Sequence, residues 1–346
     1  MQIYKKLVVA LILMFTLIGC TALEDEIDSA SDTAYMMGTA IQGKVYAPQA
    51  EELLAEGFAM IDQMEQKLSE KIADSEVDQI NQAAGQEAVE VSQTTFEIIE
   101  AAKEYAELSG GKFDPTIGPV VELWGINTDQ QRVPEPEELE EKLQIVDYNK
   151  IELDHEQQTV FLEEEGMSLD VGGIAKGYAA DQVIQLFAER GAKGGFISMG
   201  GGVTTLGTKP DDSLWRVGIK DPRPDDGNDI VAAVELTDLT VDTSGDYERY
   251  FIEDGVRYHH ILDPKADGYP AESDVMGATV VTEDPTEADV LATIIYLLGA
   301  EAGLELIEGM EDVETLIVTE DRKIYVTDGL EDEVTILEDN KYQLQE

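Results

Sequence analysis

Asp289 and Thr293 stand four residues apart in Ala288-Asp-Val-Leu-Ala-Thr293. On a helix that spacing puts both side-chain oxygens on one face, within reach of a common ion. Hard oxygen donors of this kind suit Mg²⁺. The same spacing also describes an ordinary exposed helix whose Thr bonds the carbonyl four residues back. A second stretch, Asp170-Val-Gly-Gly-Ile-Ala-Lys-Gly-Tyr-Ala-Ala-Asp181, joins a carboxylate to two glycines just ahead of a predicted helix. Gly172 and Gly173 allow a backbone to approach phosphate closely, and a helix N-terminus favours anions. Read without those neighbours, Asp170 is equally a helix N-cap and the double glycine a simple turn. A third stretch, Thr243-Ser-Gly-Asp-Tyr-Glu-Arg249, offers hydroxyls and amides and is expected to turn. It runs on to His259-His-Ile-Leu-Asp-Pro264, with two of the chain's three histidines. A neutral imidazole titrates in the range a general base needs. Together these stretches predict a site for a phosphorylated cofactor and a divalent metal.

The elements that must position them follow from periodicity. Met37 to Tyr46 predicts a first strand, and Leu53, Leu54, Phe58, Ile61, Met64 and Leu68 recur at helical spacing between Ala50 and Ser69. Asp74 to Asn81 predicts a short capped helix, and Ser92 to Ser109 another that stops at Gly110-Gly111. Phe113 to Trp124 reads as a loop with two prolines leading into a short helix, and a further helix opens after Pro136. Two short strands flank the polar turn from Asp154 to Gln158, and Ser168 to Arg190 reads as strand, turn and helix. Strands follow at Gly194 to Leu206, Trp215 to Ile219, Val231 to Leu236 and Leu239 to Leu262, the last with a hairpin turn at Asp254-Gly255. Val275 to Thr282 is a strand, Pro285 to Leu298 and Ala302 to Glu308 are helices, and two final strands end at Val326. Hairpins mixed with helices favour an α+β fold over a doubly wound sheet.

The start of the chain reads as an address. Lys5 and Lys6 precede an apolar run from Leu7 to Ile18, too short for the roughly 20 residues a bilayer needs, so residues 1–19 are expected to be a signal peptide. Leu17-Ile18-Gly19-Cys20 resembles a bacterial lipobox, which would make Cys20, the only cysteine, the lipidated first residue of the mature protein. Acyl chains there would hold the protein on the outer face of the cell membrane. Residues 20–33 read as an acidic tether, 34–335 as one catalytic unit and 336–346 as a C-terminal tail. With 74 acidic residues against 23 basic ones and a formal charge of −51, nucleic acid is excluded as a partner.

The motifs, taken in order, resemble those of the ApbE family, bacterial lipoproteins that act as FAD:protein FMN transferases. The matching pieces are Met37-Gly-Thr39, Asp74 to Asn81, Phe113-Asp-Pro-Thr-Ile-Gly-Pro119 with Trp124-Gly125, Asp170 to Asp181, Gly200 to Gly202, Thr243 to Tyr247, His260 to Pro264, and Ala288-Asp289 with Ala292-Thr293. The resemblance spans about residues 35 to 328. It implies two interleaved lobes of mixed and antiparallel sheet with flanking helices, and FAD and Mg²⁺ in the cleft between them. It implies Mg²⁺-dependent cleavage of the FAD pyrophosphate, with FMN passed to a threonine of an extracytoplasmic or membrane redox protein and AMP released. Asp289 and Thr293 would then bind Mg²⁺ with carbonyls near Gly173 and Ala292. Met37, Phe113, Asp114, Thr116, Gly118, Asp170, Lys176, Thr243, Ser244, Gly245 and Leu262 would hold FAD. His260 would take the threonine's proton, or only orient phosphate while the metal acidifies the hydroxyl. Lys176 stands where some relatives carry a carboxylate and others a lysine; it would touch the pyrophosphate or lie in solvent. Lys71 and Ile72 replace an aromatic that commonly stacks on the cofactor in relatives. A Mg²⁺-dependent FAD pyrophosphatase and a non-catalytic FAD-binding lipoprotein are the alternatives.

Overall fold

The chain is described here from a computed structural model covering residues 28–224, 230–331, 333–337 and 341–345. The apolar run from Leu7 to Ile18 and Cys20, on which the expected signal peptide and lipidation rest, lie outside the described residues. Among the described residues no helix is long and apolar enough to cross a membrane.

Strands β1 (Ser29–Met36) and β2 (Thr39–Tyr46) form a hairpin, followed by α1 (Ala50–Leu68), α2 (Glu76–Ala83), β3 (Val89–Glu90) and α3 (Gln93–Leu108). Next come α4 (Gly118–Trp124), α5 (Pro136–Leu143), β4 (Ile151–Asp154), β5 (Thr159–Leu162) and α6 (Ala175–Glu189). Strands β6 (Gly194–Met199), β7 (Gly202–Gly207), β8 (Trp215–Lys220), β9 (Ile230–Leu236), β10 (Thr240–Gly245), β11 (Tyr250–Glu253) and β12 (Val256–His259) lead to β13 (Val275–Thr282). The chain closes with α7 (Pro285–Leu298), α8 (Ala300–Glu308), β14 (Glu314–Thr319), β15 (Lys323–Val326), β16 (Val334–Ile336) and β17 (Gln343–Leu344).

Nine strands make one sheet in the order β1-β2-β6-β7-β10-β13-β14-β15-β17, antiparallel except for the last pair. Helices α1, α6, α7 and α8 bury their apolar faces against one side, with Ile41, Ile197, Ala278 and Ile317 in the shared core. A second sheet, β16-β9-β8, packs on the other side around Val234, Val281, Leu316 and Tyr342. All eight residues of β13 are buried because it lies between these layers. Below its bulge at Val275/Gly277, Val275 faces the helices and Met276 the second sheet; beyond it, Ala278 and Val280 face the helices. The extra residue shifts the two-residue alternation by one place and keeps both faces apolar. A third, smaller cluster joins Trp124 of α4, Leu139 of α5 and Phe251 of β11.

The α+β expectation holds, and most predicted elements are present. Three expectations are corrected. Residues 29–33, read as tether, belong to β1, whose polar outer face lacks the apolar alternation of a strand while its backbone pairs fully with β2. Residues 336–346, read as a tail, include β17 and a buried Tyr342 whose hydroxyl donates to Asp221 at 2.6 Å. Thr243 to Gly245, read as a turn, finish strand β10 in register with Thr279 to Gly277 of β13.

Candidate active site

Helices α6 and α7 cross at Gly177. A Cβ at this position would collide with the carbonyl of Pro285 and sit 2.8 Å from the Asp289 Cβ. Because the helices approach so closely, the Gly177 amide donates to Asp289 Oδ2 at 3.0 Å. Gly177→Ala is therefore expected to push α6 and α7 apart and to destabilise the protein by about 1–3 kcal/mol, the usual cost of overpacking. Urea denaturation checks this, and an unchanged midpoint would contradict the crossing.

Asp289 is 3% exposed, on a helix capped at its start by Asp284, whose carboxylate accepts from Thr286 N and Glu287 N. Its carboxylate receives Lys176 Nζ at 2.9 and 3.2 Å, and the same ammonium donates to the Gly172 carbonyl at 2.9 Å. Burial opposes the Lys176 charge, yet Asp289 and Asp242 outweigh it and hold its pKa above the ordinary lysine value. One turn on, the Thr293 hydroxyl pairs with Ser244 Oγ at 3.0 Å and reaches the Asp289 carbonyl at 3.5 Å. So the two residues singled out by spacing do meet, on a buried helix rather than an exposed one.

These groups open on a cavity of about 550 Å³, within the range of sites for sizeable organic ligands. Met37 enters it from the β1–β2 turn, Phe113 and Asp114 from the loop before α4, and Asp170, Gly172, Gly173 and Lys176 from the start of α6. Of the other predicted residues, Thr243, Ser244, His260, Leu262, Asp289 and Thr293 also line it. Gly173 packs closely on Phe113: a Cβ there would lie 3.0 Å from its ring, so the ring would have to give way. Asp170 does not cap α6; its Oδ1 accepts from Gly172 N at 2.8 Å and shapes the glycine turn instead. Lys71 and Ile72 line this cavity too, while Trp124, beside it, is fully buried with its indole nitrogen donating to the Gly268 carbonyl at 2.9 Å.

His260 Nδ1 is buried without a hydrogen-bond partner among the described residues. Burial, with the Arg249 charge next in effect, drives this imidazole down to about 3. It therefore stays neutral at physiological pH, with an unmet ring nitrogen in the wall of the cavity. In the unfolded chain the same ring takes up a proton below about 6.5. Its stabilising contribution is full above that pH and is lost as pH falls toward 3. His260→Gln is expected to flatten the fall of unfolding free energy between pH 6.5 and 4 by up to about 1.4 kcal/mol per pH unit. Paired urea titrations of both proteins measure it, and parallel curves would refute it.

Four predicted residues do not line the cavity. Thr116 is fully buried, its hydroxyl donating to Asp114 at 2.6 Å and accepting from Asp147 N at 2.9 Å, so it braces the loop from behind. Gly118 packs on Ser168, where a Cβ would lie 2.6 Å from the carbonyl oxygen. Gly245 makes room for the Tyr247 ring, 2.5 Å from where its Cβ would be. Ala292 is fully buried within α7. Conversely, Asp242, Glu248, Arg249 and Lys112 line the cavity and escaped the sequence reading. Asp242 carried a usable signal, a carboxylate inside a strand of otherwise buried uncharged residues. Burial, then the nearby Asp289, raises its pKa well above the ordinary value. Burial likewise raises Glu248.

Among the described residues no three His, Cys, Asp or Glu side chains gather into a metal cage. The donors at hand are the Asp289 carboxylate with Asp242 nearby, the Thr293 hydroxyl and the Gly172 carbonyl. That set fits a hard cation, because the Lys176 ammonium already sits on the Asp289 carboxylate and the Gly172 carbonyl, standing in for positive charge at that point.

Fold and site define the class, an α+β enzyme whose cleft is assembled from segments far apart in sequence. The chain belongs to the ApbE family, whose model matches residues 37–317. It is 36% identical over 320 residues to a FAD:protein FMN transferase of Treponema pallidum, covering 88% of each chain. It is 35% identical over 297 residues to one of Klebsiella pneumoniae, covering 86% of this chain and 91% of that one. Among solved structures, the ApbE protein of Thermotoga maritima superimposes with a TM-score of 0.81 at 35% identity, over 88% of this chain and 98% of that chain.

Proposed function

We propose that this protein is a Mg²⁺-dependent FAD:protein FMN transferase acting on a threonine of an extracytoplasmic or membrane redox protein. The observation that carries the reading is His260, kept neutral by burial, lining the same cavity as Asp289 and Thr293. The names of its relatives support the transferase activity.

In the reaction the threonine oxygen of the acceptor attacks the FMN phosphorus, and the bond from that phosphorus to the bridging oxygen breaks, releasing AMP. The His260 imidazole takes the hydroxyl proton, which requires that the ring be neutral. Asp289, Thr293 and the carbonyl at Gly173 would hold Mg²⁺, which neutralises charge on the pyrophosphate when bound. Phe113 and Met37 supply apolar surface for the ring systems. Lipidation at Cys20 would keep the enzyme on the outer face of the membrane, beside membrane-bound acceptors.

The test is mass spectrometry of a threonine-containing FMN-binding domain after incubation with the purified protein, FAD and Mg²⁺. An FMN-sized gain that chelator abolishes is the expected result. Free FMN and AMP without a gain would make the protein a pyrophosphatase, and tight FAD binding without either product a carrier.

A further inference from the structure

Lys176 occupies the second position of α6, at the end of the helix where the backbone dipole disfavours a cation. Its first-turn location therefore needs compensation from elsewhere. That compensation is specific: the ammonium's contacts are both Asp289 oxygens and the Gly172 carbonyl. The side chain is 16% exposed and its partner 4%, so the pair is held largely away from water. An ammonium with three donors here satisfies hard oxygens that a divalent cation would also claim. Nothing crowds its stem from the Gly200 side, since that residue has no side chain; a Cβ there would lie 3.5 Å from Lys176 Cε.

We propose that Lys176 is a positioning residue, a tethered counter-ion that holds the Asp289 oxygens in place in the metal-free protein and is displaced into the cavity when the divalent cation binds. This rests on the reading of Asp289 as a cation ligand. Two opposed effects follow. Without Lys176 the buried carboxylate has lost its counter-charge, and the metal-free protein is weakened. Without the competitor, the cation binds more tightly.

The experiment is isothermal titration of metal-free protein with MgCl₂ in the absence of FAD, together with thermal unfolding with and without Mg²⁺, for wild type, Lys176→Met and Asp289→Asn. Lys176→Met is expected to tighten Mg²⁺ binding by on the order of tenfold, to melt below wild type without metal, and to recover on adding Mg²⁺. Lys176→Gln takes its place if the Met variant does not accumulate. A residue that merely supports the fold would lower the melting temperature without tightening Mg²⁺. Binding that is lost in Asp289→Asn but unchanged or weaker in Lys176→Met overturns the counter-ion role alone. Binding that survives Asp289→Asn, or is absent from wild type and Lys176→Met alike, overturns the cation site and the counter-ion role with it.

Discussion

Asp289→Asn is expected to reduce FMN transfer by on the order of a thousandfold, the equivalent of about 4 kcal/mol of transition-state stabilisation. Asn keeps the shape but gives up the charge that recruits a divalent cation. It also deprives the Lys176 ammonium of its paired negative charge, leaving a neutral amide where the carboxylate stood 2.9 Å away. Breaking a buried pair from one side costs about 3–5 kcal/mol, so the variant should also unfold at lower urea. The two losses are separable. Mass spectrometry of the acceptor, at a temperature where circular dichroism shows the variant folded, reports the catalytic one. A folded variant that keeps more than about a tenth of wild-type transfer would leave Asp289 no place in the chemistry.

His260→Gln is expected to slow transfer by about 10²–10⁴-fold, the range that general-base catalysis contributes. The His260 backbone N donates to the Arg249 carbonyl at 3.1 Å whatever the side chain, so the local backbone should survive. Because Nδ1 of the ring has no hydrogen-bond partner among the described residues, its loss should fall on kcat with little change in the KM for FAD. If the ring only orients phosphate, KM rises instead and kcat holds. Steady-state kinetics against FAD at fixed acceptor distinguish the two outcomes.

Much of the site was legible because its chemistry sits in short contiguous motifs. Asp289 and Thr293 could be paired from helical spacing alone, and Gly172-Gly173 from their place before a helix. The misreadings share a physical cause, that side-chain direction is fixed by tertiary packing. Thr116 and Gly118 lie in the same loop as Phe113 and Asp114, yet they face Asp147 and Ser168 rather than the cavity. Gly245 alternates with Ser244 along β10 and so turns away from Thr293. Lys176 was read toward phosphate or solvent because its partner lies 113 positions away. The limits of the fold were obscured for a similar reason. Strands β1 and β17 take their stability from backbone pairing with a neighbour and carry little apolar signal of their own.

That placement decides where the protein tolerates trimming. β1 and β17 are the outermost strands of the nine-stranded sheet, one from each end of the described chain. A version cut to residues 34–335 would lose most of one border strand and all of the other. It would bare the amide ladders of β2 and β15 to any passing chain, the standard route to edge-to-edge aggregation. It would also discard the Asp28 carbonyl that accepts from Ala47 N at 3.0 Å and the Tyr342 hydroxyl that seals Asp221. Soluble material for crystallisation or assay should therefore begin before Asp28 and run past Leu344.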